Sequence, residues 1–178
     1  MSTAWRGLDA AERLAWNTVV DHFARTDIFG DLRNPSGFNL HQMLNNNLLN
    51  VGESVITTPP LPAAVAAFKT MSFTIENTVE SLMIAFTENV ATDHAAIVLA
   101  TPAISPGISF VKPEYRQIAV LPAETATGYD ALAEYVARFG AIGATGMQVF
   151  IRMFMVNTVT GQAGLGIAAS APITLGSV

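Results

Sequence analysis

The spacing of apolar residues changes about a third of the way along the chain. Up to residue 56 they recur at three- and four-residue intervals, and beyond residue 63 they alternate with polar ones. In the first stretch Trp16, Val19, Val20 and Phe23 form one stripe, with Glu12, Arg13, Asp21 and Arg25 spread around the rest of the cylinder. Asp9 and Glu12 have capping-box spacing, in which each side chain satisfies a backbone N–H that the helix leaves free. A helix is therefore predicted to start after Asp9, with the preceding residues, Trp5 among them, left as an exposed arm. The loop TDIFGDLRNPSG follows, rich in turn residues, and a second helix is predicted from near Ser36 to about Asn50, stopped by Gly52.

That second helix, within NLHQMLNNNLLNVG, carries Asn45, Asn46, Asn47 and Asn50 among its leucines, although the asparagine amide competes with helical backbone bonds. Phe38, Met43, Leu44 and Leu48 mark its apolar side. Asn47, one turn beyond Met43 and Leu44, is expected to face inward, Asn45 and Asn46 to face solvent or a neighbour, and Asn50 to suit the helix end. Asn47 and Asn50 are read as structural polar residues. A buried amide needs partners, and the nearest are the backbone groups of the loop at 26–37 and of the chain leaving Gly52.

TTPPLP, residues 57–62, marks the change of period, since adjacent prolines stop a helix and favour an extended connector. Beyond it Met71, Phe73 and Ile75 alternate with Ser72, Thr74 and Glu76, and Leu82, Ile84 and Phe86 with Met83, Ala85 and Thr87. Further strands are predicted at AAIVLATPA (95–103), YRQIAVL (115–121), MQVFIRMFMV (147–156) and AGLGIAASAPI. Residues 129–139 break the pattern with helical spacing at Tyr129, Leu132, Tyr135, Val136 and Phe139, ended by Gly140. Strand 147–156 is apolar on both faces, so it is either central or covered by a partner.

Short, evenly spaced strands with turn signals point to an all-β sandwich. In its proline-marked entry, alternating strands and final hairpin around Thr160-Gly161, residues 63–175 resemble a fibronectin type III or immunoglobulin-like domain. The Cys, Trp, Cys spacing of antibody domains is missing. The opening WRGLDAAERLAW resembles helical segments of uncharacterised bacterial and phage proteins. The expected architecture is mainly β with an α-helical N-terminal unit: a helical docking or oligomerisation unit at 1–56, a connector at 57–62, and an immunoglobulin-like sandwich at 63–178 with a short helical insertion near 129–139.

Composition adds a reason to expect partners. Charged residues make up 13% of the 178 and hydrophobic ones 51%, against roughly 25% charged in an average domain. So little charge covers a lone monomer poorly, which points to a homo-oligomer or a subunit of a larger assembly. Apolar runs such as PPLPAAVAAF and AAIVLATPAI contain proline and fall well short of the roughly 20 residues of a membrane span. The opening residues lack the apolar core of a Sec signal, so synthesis in the cytoplasm is expected, with incorporation into a virion or extracellular assembly as the route onward. The net charge of −5 has no basic patch, and nucleic acid is not an expected partner.

No catalytic pattern emerges. There is no cysteine, His22, His41 and His94 lack metal-site spacing, and no HExxH, GxxxxGK[ST] or GxSxG occurs. GLGIAA (164–169) fits the form GxGxxA, yet too few residues remain for the helix and strand that a dinucleotide site requires. No cofactor and no enzymatic activity are expected. The anticipated function is that of a structural subunit of a phage virion, an injection machine or an extracellular filament. Its interface candidates are Trp5, Trp16, Phe29 and the methionines Met147, Met153 and Met155. The alternative is a carbohydrate-binding or adhesion module using Tyr115, Tyr129 and Tyr135 to stack on sugars.

Overall fold

The computed structural model describes residues 2–176. Two compact units emerge: the first runs to Val65 and takes in Val156–Ala163, and the second holds Ala66–Met155 and the chain from Gly164 onward.

The first unit is built on helices. α1 (Ser2–Gly7) precedes α2 (Ala10–Thr18), which tightens into a 3-10 turn over Val19–Phe23. The capping box at α2 forms in both directions, Asp9 Oδ1 accepting from the Glu12 N–H at 2.8 Å and Glu12 Oε2 from the Asp9 N–H at 2.9 Å. A short antiparallel ribbon, β1 (Arg25–Thr26) with β2 (Leu32–Arg33), leads to α3 (Gly37–Asn50). Ser36 caps α3 through its hydroxyl, and past its end the Glu53 N–H returns to the Leu48 carbonyl around Gly52, whose φ is +87°. At Gly37 the helices come so close that a Cβ would lie 2.9 Å from the carbonyl carbon of Trp16. Leu8, Trp16, Leu40 and Leu44 form the buried centre, each such side chain contributing about 1.5–3 kcal/mol by leaving water.

Three sequence expectations change here. Trp5 is not on an arm: it lies in α1, half-buried, with its ring edge-on to Phe38 at 5.6 Å and to His41 at 5.3 Å. Asn45, expected to face outward, is completely buried and bonds both backbone groups of Ile56. Asn47 does turn inward, but its amide donates to the Gly161 carbonyl at 2.8 Å and not to the loop at 26–37. The apolar stripe of α3 runs through Leu40, His41, Leu44 and Leu48, which rotates Asn45 into the interior and leaves Phe38 at the margin.

Indole and amide side chains also fasten the proline-rich segment. Trp16 Nε1 donates to the Thr57 carbonyl at 2.6 Å, and Gln162 spans the Leu61 carbonyl and the Ala63 N–H at 2.9 and 3.0 Å. A segment that can form few ladder bonds of its own is thereby satisfied through side chains.

The second unit is an immunoglobulin/fibronectin III-like β-sandwich. One antiparallel sheet has the order β3-β4-β7, from Met71–Glu76, Ser81–Phe86 and Gly128–Asp130. The other has the order β6-β5-β8-β9, from Arg116–Leu121, His94–Ala100, Gln148–Asn157 and Ile167–Pro172. Alternation sends Ile75, Leu82 and Ile84 inward from the first sheet, and Ile97, Leu121, Val149 and Ile151 from the second. Beyond β9 the chain meets β3, the Thr174 N–H donating to the Ile75 carbonyl at 3.0 Å and the Thr174 carbonyl accepting from the Asn77 N–H at 3.1 Å.

Only Leu132–Phe139 of the predicted helical insertion is helix, α4; Tyr129 sits in β7 opposite Ile84. The spacing from Tyr129 to Leu132 mimics a helical turn, but the strand ladder to β4 takes Tyr129 and Asp130.

Candidate interaction surface

The loop DIFGD folds into a tight, internally bonded turn at the end of the β1–β2 ribbon. Asp27 organises it: Oδ1 accepts from the Phe29 N–H at 2.8 Å and the Asp31 N–H at 3.1 Å, and Oδ2 from Arg33 Nε at 3.0 Å. The Asp27 N–H donates to the Asp31 carbonyl and its carbonyl accepts from Gly30, which takes a φ of +90° that favours glycine. The bond from the Phe29 N–H, with help from Arg33, holds the Asp27 carboxyl below its ordinary range.

On this turn Ile28 and Phe29 point into solvent, 93% and 82% exposed, with Leu32 behind them at 72%. Strand alternation puts Arg25 and Arg33 opposite one another on one face, where Arg25 reaches the Met43 sulfur at 3.0 Å, and puts Thr26 and Leu32 on the other. The tip is thus an apolar knob whose backbone is fixed before any partner arrives.

The same unit has an apolar groove of about 540 Å³. Ala11, Leu14, Ala15 and Val19 form its helical wall, and Pro59 and Leu61 of the connector form the other. Its polar margin is Thr18, His22 and Thr58. Leu14 and Leu61 remain 66% and 72% exposed.

Of the predicted interface residues, Phe29 is fully presented and Trp5 half-buried. Three others lie inside their own units, out of a partner's reach: Trp16 beneath α3, and Met153 and Met155 on the core face of β8. Met147, half-buried, precedes β8 next to Gly143. β8 is apolar on both faces because it is central in its sheet; its outer face carries Arg152 over the ring of Phe154 at 6.0 Å. Asn50, at the end of α3, is exposed.

The tyrosines do not form an open platform. Tyr135 is buried on α4 against Phe139, and burial pushes its hydroxyl up to about 12. The Tyr129 hydroxyl donates to Glu134 Oε1 at 2.7 Å and is likewise pushed up to about 12, first by burial and then by that carboxylate. Tyr115 is half-buried before β6, its hydroxyl raised by burial and moderated by the charge of Arg152.

The histidines have separate settings. His22 lines the groove; His94 is buried where it opens β5, with Nδ1 2.8 Å from the Thr92 carbonyl. His41 is buried between the rings of Trp5 and Trp16, its Nδ1 unpartnered, and burial lowers its basicity. Among the described residues no group of three or more His, Asp or Glu is placed to hold a metal ion, and no helix is long and apolar enough to cross a membrane.

Ile28, Leu14 and Leu61 escaped the sequence reading. Isolated apolar residues in a loop or connector have no periodicity to mark them. The legible signal was the pair Asp27 and Asp31 around Gly30, the composition of a self-bonded turn.

No protein-family model matches the chain, and no curated protein matches it. Among solved structures it is similar to the chicken interferon gamma receptor alpha chain, at 14% identity and a TM-score of 0.40, over 63% of this chain and 46% of that one. It is similar also to an Fn3-like protein from Clostridium thermocellum, at 16% identity and a TM-score of 0.37, over 65% of this chain and 98% of that one. The chain thus spans less than half the length of the receptor chain. The assignment of the sandwich rests on its own strand order.

Proposed function

We propose that this protein is a non-enzymatic structural subunit that works through protein–protein contacts, with its helical unit as the docking and oligomerisation element and its sandwich as the body. The observation that carries this reading is the Asp27-braced turn, which holds Ile28 and Phe29 in water at 93% and 82% exposure. Exposing two large apolar side chains is unfavourable for a lone chain, and fixing their backbone in advance lowers the entropy cost of docking. The low charge content supports the same reading. A virion, an injection machine or an extracellular filament is the assembly we propose, a choice supported by the resemblance of WRGLDAAERLAW to helical segments of phage and bacterial proteins.

Light scattering on the full chain across concentration, with negative-stain images of the same fractions, tests this. Discrete rings or filaments are expected as concentration rises. A strict monomer at every concentration, with no partner recovered from the source assembly, overturns the reading.

A further inference from the structure

His41 stands apart among the polar side chains of the helical unit. It is 1% exposed, its Nδ1 has no hydrogen-bond partner, and its ring lies between those of Trp5 at 5.3 Å and Trp16 at 5.0 Å. A buried polar atom left unpaired calls for a reason beyond packing. We infer that His41 is an acid-operated latch: when its ring takes up a proton, Trp5 and α1 move off α3 while the rest of the helical unit stays folded. This goes beyond the assembly reading and does not depend on it.

An imidazolium brings two N–H donors and a full charge, and the surroundings of this ring receive neither. α3 carries no Asp, Glu, Lys or Arg. α1 contributes Arg6. α2 contributes Glu12 and Arg13, with Asp9 at its cap, but the two carboxylates are bonded to each other's backbone N–H and Arg13 is a further cation. From the 3-10 turn come Asp21, which accepts from Asn34, and His22, which lines the groove. The ribbon adds Arg25, against Met43, and the Asp27–Arg33 pair. Glu53 lies past the far end of α3. The amino-terminal ammonium is positive too and joins burial in lowering the basicity of the ring. Attraction of the cation to two indoles is a smaller effect than burying a charge without a counter-ion, so the protonated ring must reach water.

The way to water is through Trp5. Trp16 is completely buried, and its indole is tied to the Thr57 carbonyl at 2.6 Å. Trp5 is half-buried and is held by edge contacts to His41 and to Phe38, itself at the exposed margin. α1 is only six residues long, and its backbone is tied to α2 through a bond from Arg13 Nη2 to the Arg6 carbonyl at 2.8 Å. A helix this short has little stability of its own. Moving it disturbs less than parting α2 from α3 around Trp16, Leu40 and Leu44, and Leu8, buried just past α1, is the pivot.

Acrylamide quenching of the full chain tests this, because Trp5 and Trp16 are its two tryptophans. Quenching is measured from pH 8 to pH 5, roughly the span over which histidine titrates, with far-UV circular dichroism on the same samples. In the released form the ring is in water and titrates near the ordinary 6.5. Below that pH the ratio of released to closed molecules is expected to rise about tenfold per pH unit, the slope of one proton, and to level off at the lower value of the closed form. Quenching is expected to rise with that ratio while the helical signal persists. Trp5→Phe, in which the anchored Trp16 alone reports, is expected to stay weakly quenched throughout. His41→Leu is expected to lose the response; where its melt shows that it does not fold, His41→Gln replaces it with the same expectation. Wild-type quenching that stays flat to pH 5 overturns the inference. So does an acid response in Trp5→Phe equal to that of wild type, or a parallel loss of the helical signal, since the whole unit then opens. A response that survives replacement of His41 assigns the effect to another group and overturns it as well.

Discussion

Asn45 holds Ile56 by both of its backbone groups, its Oδ1 accepting from the Ile56 N–H at 2.7 Å and its Nδ2 donating to the Ile56 carbonyl at 3.2 Å. Asn45 is thus a side-chain substitute for a missing strand, tying a segment without a ladder to a helix. Asn45→Leu keeps the approximate size but strands both groups, and is expected to destabilise the helical unit by about 1–3 kcal/mol in denaturant melts. Asn46→Ala, on the exposed side of the same helix, is expected to stay within about 0.5 kcal/mol. Equal effects at the two positions would remove the structural role given to Asn45.

Burial of His41 predicts acid sensitivity. Its folded-state pKa lies below the ordinary 6.5, so on acidification the unfolded chain takes up the proton first. Stability falls as pH drops through about 6.5 toward the lower folded value and is fully present above that window. Thermal melts between pH 8 and pH 5, chosen as roughly the span over which histidine titrates, are expected to show this loss in wild type and a flatter curve in His41→Leu. An identical slope in both proteins would assign the effect to other groups.

Asp27→Ala is expected to loosen the knob without unfolding the unit. The Phe29 and Asp31 amides lose their acceptor, and their hydrogen exchange should quicken by roughly five- to tenfold, as for one net hydrogen bond of about 1 kcal/mol. The global melt should hardly move, because the turn is exposed. Unchanged exchange at both amides would show that the carboxylate does not brace the turn.

Two glycines separate backbone strain from contact. Gly161 has a φ of +70° and faces the Leu44 carbonyl so closely that any Cβ would overlap it, whereas Gly30 has a φ of +90° with open space around it. Gly30→Ala is expected to cost about 1 kcal/mol for its conformation alone. Gly161→Ala is expected to cost about 3 kcal/mol, since the Asn47 bond to its carbonyl must also shift. Equal losses in the two melts would mean that α3 yields easily at Leu44.

What could be read from the sequence follows from the kind of signal each feature leaves. Strands at Met71–Glu76 and Ser81–Phe86 and the cap at Asp9 are local patterns, and they appear where the residues put them. The position of β8 was left as two alternatives because an apolar strand reads alike whether a sheet or a partner covers it; its neighbours β5 and β9 decide for the sheet. The inward turn of Asn45 was hidden because His41, not Met43, completes the buried stripe of α3, a rotation that only tertiary packing against Trp16 reveals. The knob was only partly visible: Phe29 stood out as an aromatic residue in a loop, while Ile28 and the groove depend on which surfaces remain uncovered after folding.

The return of Val156–Ala163 to the helical unit gives the chain an order of events. During synthesis the helices emerge first, yet the carbonyl that Asn47 needs and the amide that clamps Leu61 and Ala63 lie far downstream, past most of the sandwich. A ribosome-bound chain must therefore carry an unfinished helical unit until the sandwich is nearly made. The helical unit would then close last, on a chain whose sandwich strands are almost all in place.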